Sequence, residues 1–99
     1  MAAKEHILID QSEIILRYMQ GKNPVRANLV RDNIQRFTFE HYDEKILLFF
    51  KKPSERIIIT TNRGLFTLTR SMVGDANFDR YKEMLEEYSK KYHIGIARK

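Results

Sequence analysis

The runs Lys45-Ile46-Leu47-Leu48-Phe49-Phe50, Arg56-Ile57-Ile58-Ile59-Thr60-Thr61 and Leu65-Phe66-Thr67-Leu68-Thr69-Arg70 decide how the chain reads. Each is short and rich in β-branched or aromatic residues, and turn chemistry separates them, so they read as strands. Lys51-Lys52-Pro53-Ser54-Glu55 reads as the loop between the first two, with Pro at a turn-compatible place. Thr61-Asn62-Arg63-Gly64 reads as a tight hairpin in which Asn62 and Gly64 can supply positive φ. From Asn77 to Tyr92 the period changes. Phe78, Tyr81, Leu85, Tyr88 and Tyr92 follow spacings of three and four, which predicts a helix with one apolar stripe. Asp75 or Asn77 is placed to cap it, with Asp79 and Glu83 near its positive end and Lys90 and Lys91 near its negative end.

Upstream, Ile34 to Phe39 reads as a strand with Phe37 and Phe39 on one side, and His41-Tyr42-Asp43-Glu44 as a polar break before Ile46. The same alternation groups Ile46, Leu48 and Phe50, then Ile57 and Ile59, then Phe66 and Leu68. Leu47, Phe49 and Ile58 are left on the opposite side, where packing inside the domain is expected. Residues 10–20 admit two readings. Asp10-Gln11-Ser12-Glu13 resembles a capping box and Gly21 a helix stop. Ile14, Leu16 and Tyr18 alternate with Ile15, Arg17 and Met19, as in a strand buried on one side. The strand is favoured, because a Gly21-Lys22-Asn23 turn then returns the chain through Val25–Leu29, and Val30–Asn33 turns the corner. The expected fold is mainly β, with antiparallel strands over 5–70 and a C-terminal helix over 77–92; an α+β fold with a helix at 10–20 is the alternative.

Ninety-nine residues form one domain, 1–99, because a core divided at this size could not offset chain entropy. With no cysteine, disulfides and thiolate metal sites are excluded. No signal-peptide core or membrane-span-length apolar run occurs, so a soluble, cytoplasmic protein is expected. The net charge of +5 divides unevenly: residues 77–92 are balanced, four acids against four bases, Arg98 and Lys99 add two in an expected frayed tail, and the body holds 12 bases and 9 acids. That surface is mild and mixed, easily screened by salt.

The order of elements resembles the pleckstrin-homology-like superfold in its small bacterial form. The resemblance runs through His6-Ile7-Leu8-Ile9, Glu13 to Met19, a Gly-Lys turn, Arg26 to Leu29, Asn33-Ile34-Gln35-Arg36-Phe37, the hairpin from Ile59 to Leu68, and the closing helix. It covers roughly residues 5–94. It implies about seven strands in a two-sheet antiparallel sandwich or partly open barrel, plugged at one end by the helix, that binds phosphoinositides, peptides or partner proteins. In the lipid-binding pattern, basic residues flank the first hairpin loop. Here that loop is Asp10-Gln11-Ser12-Glu13, with two acids and no base; only Arg17 matches a basic position, and Met19 stands where another is expected. Specific inositol-phosphate binding is therefore not expected.

The expectation is a non-catalytic interaction module. It binds a protein partner or forms a homodimer, with an anionic membrane surface less favoured; a small basic nucleic-acid-binding protein is the alternative. Lys51, Lys52 and Arg56 are the candidate anion-binding residues, and Lys22 and Arg63 a second basic end shared with His41. Ile15 and Met19 are candidate apolar contacts for a partner. No cofactor or metal is expected, since His6, His41 and His93 are isolated from one another. Ser12, Ser54, Ser71 and Ser89 have no visible base, and Glu86-Glu87 lies on a charged helix face, so no enzyme is expected. Arg36-Phe37-Thr38-Phe39 superficially matches RNA-stacking strands, yet its phenylalanines read as core.

Overall fold

Of the stretch with two readings, residues 13–20 settle as a strand because their burial has a period of two. Ile14, Leu16 and Tyr18 are buried, while Ile15 is half-covered and Arg17 and Met19 are exposed. A computed structural model describes residues 6–10, 12–47 and 50–99, with the side chains of His6, Ile46 and Leu47 left aside. The faces expected of Ile46, Leu47, Leu48 and Phe49, and Gln11 in the first loop, thus lie outside the described residues. Strand β2 (Glu13–Gln20) pairs antiparallel with β1 (His6–Ile9) on one side and β3 (Asn23–Val30) on the other. Gly21, at φ +64°, supplies the left-handed turn residue between β2 and β3. A single 3-10 turn, Arg31–Asn33, makes the corner expected there.

The second sheet corrects two expected breaks. Strand β4 runs unbroken from Ile34 to Leu47, and β5 from Phe50 to Thr61. His41–Glu44 is therefore no break and Lys51–Glu55 no loop: Glu40 to Glu44 pair residue by residue with Arg56 to Lys52, and Lys45 with Lys51. Pro53 is tolerated because β6 (Gly64–Thr69) reaches β5 only as far as Arg56, so Pro53 lies on a free edge needing no second donor. Phe50, grouped above with the core-facing residues, is 61% exposed. A register shift at Ile34/Arg36 changes the phase of β4, so that Ile34, Phe37 and Phe39 are all buried.

The Asn62-Arg63 hairpin forms as expected, but only Gly64 takes positive φ, at +121°. The Thr61 hydroxyl accepts from the Arg63 amide and donates to the Gly64 carbonyl, fastening the turn. Gly64→Ala is expected to destabilise by about 1 kcal/mol through backbone strain alone. The space a Cβ would enter is open. A thermal melt checks this; an unchanged midpoint refutes it.

Thr69 ends the strand earlier than expected and caps helix α1 (Arg70–Val73) by accepting from the Met72 amide. Gly74 separates α1 from α2 (Asp75–Tyr92), so neither Asp75 nor Asn77 caps the main helix. Its expected stripe is otherwise met: Phe78, Tyr81, Leu85 and Tyr88 are buried, and Tyr92 packs half-buried beside them. The tail is not frayed. Ile94 is buried, and β7 (Gly95–Arg98) pairs parallel with Arg36–Phe39 of β4. The Lys99 amide donates to the Phe39 carbonyl, and the Lys99 carbonyl accepts from the His41 amide.

The fold is mainly β, with seven strands among the described residues in two sheets, of order β1-β2-β3 and β6-β5-β4-β7, that stay separate without closing into a barrel. Their composition differs from the expected seven: β4 takes the place of two strands, and one strand follows the helix. Residues of both sheets and α2 share one core, in which Phe37 meets Tyr88 edge-on at 6.1 Å.

Candidate interaction surface

The pairing of β1, β2 and β3 fixes what their outer face displays. Leu8 lies opposite Ile15, Met19 opposite Pro24, Glu13 opposite Val30, and Arg17 opposite Arg26. The inner side chains, Ile14, Leu16, Tyr18, Ala27 and Leu29, go to the core. Among the described residues the exposed large apolar side chains are Leu8 (45%), Met19 (39%), Val30 (46%), Phe50 and Leu65, and the first three share this one face. Half-buried Ile15 joins them. Arg17 and Arg26 face each other across the strands, and neither bonds to a carboxylate among the described residues. Like charges in that position oppose pairing, and only solvent relieves them.

Of the residues singled out from the sequence, Ile15 and Met19 thus sit together on an uncovered sheet face, and Lys22 lies in the turn at its Met19 end. Arg63 is not with Lys22. Its guanidinium donates to the Asn28 carbonyl at 3.1 Å, near the opposite end of β3, where it ties the edge of one sheet to the hairpin of the other. Six residues of extended chain, about 20 Å, separate Asn28 from Lys22. His41, expected with them, lies instead on β4 opposite Glu55.

Lys51, Lys52 and Arg56 are on β5, and the structure divides them. Arg56 pairs with Glu40 and stacks 4.7 Å over the Tyr42 ring, so its charge is already used. Lys51 is exposed opposite Lys45. Lys52 borders a groove of about 650 Å³ lined also by Glu44, Ser54, Arg70, Asp75 and Asp79. Three carboxylates against two bases make that groove a poor anion site.

Arg70 is the hub of this region. It bonds Glu55 at 2.7 Å, Asp79 at 2.6 Å and Asp75 at 3.3 Å, and its guanidinium lies 4.6 Å over the Phe78 ring. Lys82 reaches the other oxygen of Glu55 at 2.9 Å. Hydrogen bonds from Lys82 and then Arg70 hold the Glu55 carboxyl down at about 2. The cluster anchors the β4–β5 hairpin to both helices. Burial pushes the Tyr18 and Tyr88 phenols up, consistent with core positions. Phe37 and Phe39 are buried as well, leaving no base-stacking strand there.

Leu8, Val30, Arg26 and Arg70 escaped the sequence reading. The first three needed the strand register, which no single residue announces; Arg70 needed the helix packing. Among the described residues no group of three or more His, Asp or Glu is placed to hold a metal ion, and no helix is long and apolar enough to cross a membrane. No family model, no curated protein and no solved structure matches this chain.

Proposed function

We propose that the chain is a non-catalytic interaction module on a pleckstrin-homology-like scaffold, binding a protein partner over the outer face of β1–β3. The gathering of Leu8, Ile15, Met19 and Val30 around the facing pair Arg17 and Arg26 supports this reading. A partner presenting apolar side chains around a carboxylate would bury the former and neutralise the latter. Strands of four, eight and eight residues span at most roughly 14 by 26 Å. That is below the ~800 Å² per side of a standard stable interface and suits a transient contact better than an obligate homodimer.

A tagged chain, used to capture partners from its native lysate with and without nuclease, tests the proposal. A stoichiometric, nuclease-resistant partner is expected. Its recovery should fall about tenfold or more for Leu8→Ser/Met19→Ser and for Arg17→Glu, as truncation of central interface residues does. Recovery unaffected by those changes removes this face from consideration. Nuclease-sensitive recovery that falls steeply with salt would replace the reading with the nucleic-acid alternative.

A further inference from the structure

Pairing between β2 and β3 stacks their outer positions in rows. Glu13 and Val30 form the first. Ile15 and Asn28 form the second, with Leu8 of β1 beside them, Arg17 and Arg26 the third, and Met19 and Pro24 the fourth. Rows lie two residues apart, about 6.7 Å, so the face reads apolar, apolar, basic, apolar along a track of about 20 Å. Lys22, exposed in the turn past the fourth row, extends the basic end, and Glu13 marks the other. Neither arginine pairs with a carboxylate among the described residues, so the third row lacks its counter-charge.

We infer that the partner lays a single amphipathic helix along this track, its N-terminus over Glu13 and Val30 and a carboxylate over Arg17 and Arg26. The inference rests on the reading of this face as a protein-binding surface. Backbone satisfaction selects the helix. A lone extended segment lying on side chains would bury its own amides and carbonyls unpaired, since a sheet offers partners for them only at its edges. A helix bonds its own backbone and is about 10–12 Å across, so one helix fits a face roughly 14 Å wide. Residues four apart in a helix climb about 6 Å, close to the row spacing. The matching stripe is therefore apolar, apolar, acidic, apolar at spacings of four. Its direction follows from charge: Glu13 faces the positive end of the helix dipole, and Lys22 the negative end. A second copy cannot supply this helix, because the long helix α2 keeps its stripe of Phe78, Tyr81, Leu85 and Tyr88 in its own core.

Selection on the whole chain from a displayed library of helices tests the inference. The helices are of about 18 residues, some 27 Å long, with four positions spaced by four randomised on an alanine–glutamine host. Enriched sequences should carry apolar residues at the first, second and fourth positions from the N-terminus and Asp or Glu at the third. Replacing that acid by Lys in a selected peptide should weaken binding, read by fluorescence anisotropy, about tenfold. Arg17→Glu/Arg26→Glu keeps like charges face to face, so its unfolding midpoint should match the parent's. Selection on that variant should exchange the acid for Lys or Arg, a switch that a purely structural role of the arginines would not produce. No enrichment, a third position indifferent to charge, enrichment of the reverse order, or binding that survives a central proline in the peptide each overturns the inference. Lysate capture that depends on Leu8 and Met19 while no helix is enriched would leave the protein-binding face standing and refute the helix. Capture insensitive to Leu8→Ser/Met19→Ser removes the reading of the face itself.

Discussion

Phe37→Ala is expected to lower the free energy of unfolding by about 4 kcal/mol. Phe37 is fully buried on β4, the strand hydrogen-bonded to β5 on one side and β7 on the other, and its ring packs edge-on against Tyr88 of α2. Truncation removes transfer energy and leaves a cavity where a sheet and the helix meet, with neighbours fixed by backbone pairing on both sides. A domain of this size is stable by about 5–15 kcal/mol, so the variant should lose a large share of its stability or fail to fold at physiological temperature. In urea the midpoint should fall with little change of slope. Phe50→Ala is the control. Its ring is mostly in solvent, and the change should stay within about 0.5 kcal/mol. A loss below about 2 kcal/mol at Phe37 would mean that the sheet and helix can close over the gap, contrary to the packing described.

Acid should weaken the fold through Glu55. Its carboxyl titrates at about 2 in the folded chain against an ordinary 4.5, because Lys82 and Arg70 both donate to it. A depressed carboxyl stabilises the fold in full above its unfolded value, progressively less as the pH falls from 4.5 towards 2, and not at all below. Arg70 is shifted upward by Asp79 and Glu55, which is the same pairing seen from the other partner and contributes nothing further in this window. With allowance for solvent screening, the interaction is worth about 2 kcal/mol. Glu55→Gln should therefore be less stable than the parent by about that amount at neutral pH, and the two unfolding curves should converge as the pH drops towards 2. Parallel curves across the window would show that the Glu55 cluster is not what couples this fold to acid.

What could be read from the residues followed from burial. Strand β2 was legible because Ile14, Leu16 and Tyr18 have a core to face, and α2 because five apolar residues trace one stripe. The β4–β5 hairpin beyond His41 was not, since even its covered positions are polar: Ser54 is buried and Glu55 is held by Arg70 and Lys82, so His41 to Glu44 and Lys51 to Glu55 read like a loop. Strand β7 has four residues beginning with glycine, so its conformation comes from the open edge of β4 rather than from propensity. The same division holds at the surface. Ile15 and Met19 followed from alternation within one strand, whereas Leu8, Val30 and the Arg17–Arg26 opposition depend on register between strands. Lys51 and Lys52 were singled out, but as parts of a loop, and their facing neighbour Lys45 could not be seen before the hairpin was known to extend.

The late strand β7 also times the folding of the chain. Arg36 and Gly95 are paired neighbours separated by 59 positions (95 − 36) in sequence. During synthesis at about 5–20 residues per second, β4 therefore waits several seconds for the segment that covers its outer edge. Until then its unpaired donors and acceptors, beside Phe37 and Phe39, form an open template for another chain. Short of those strand residues, a nascent or clipped chain would carry an intact helix beside an uncovered β4 edge. Chaperone dependence and aggregation during expression should thus respond more sharply to changes in residues 95–98 than their modest burial would indicate.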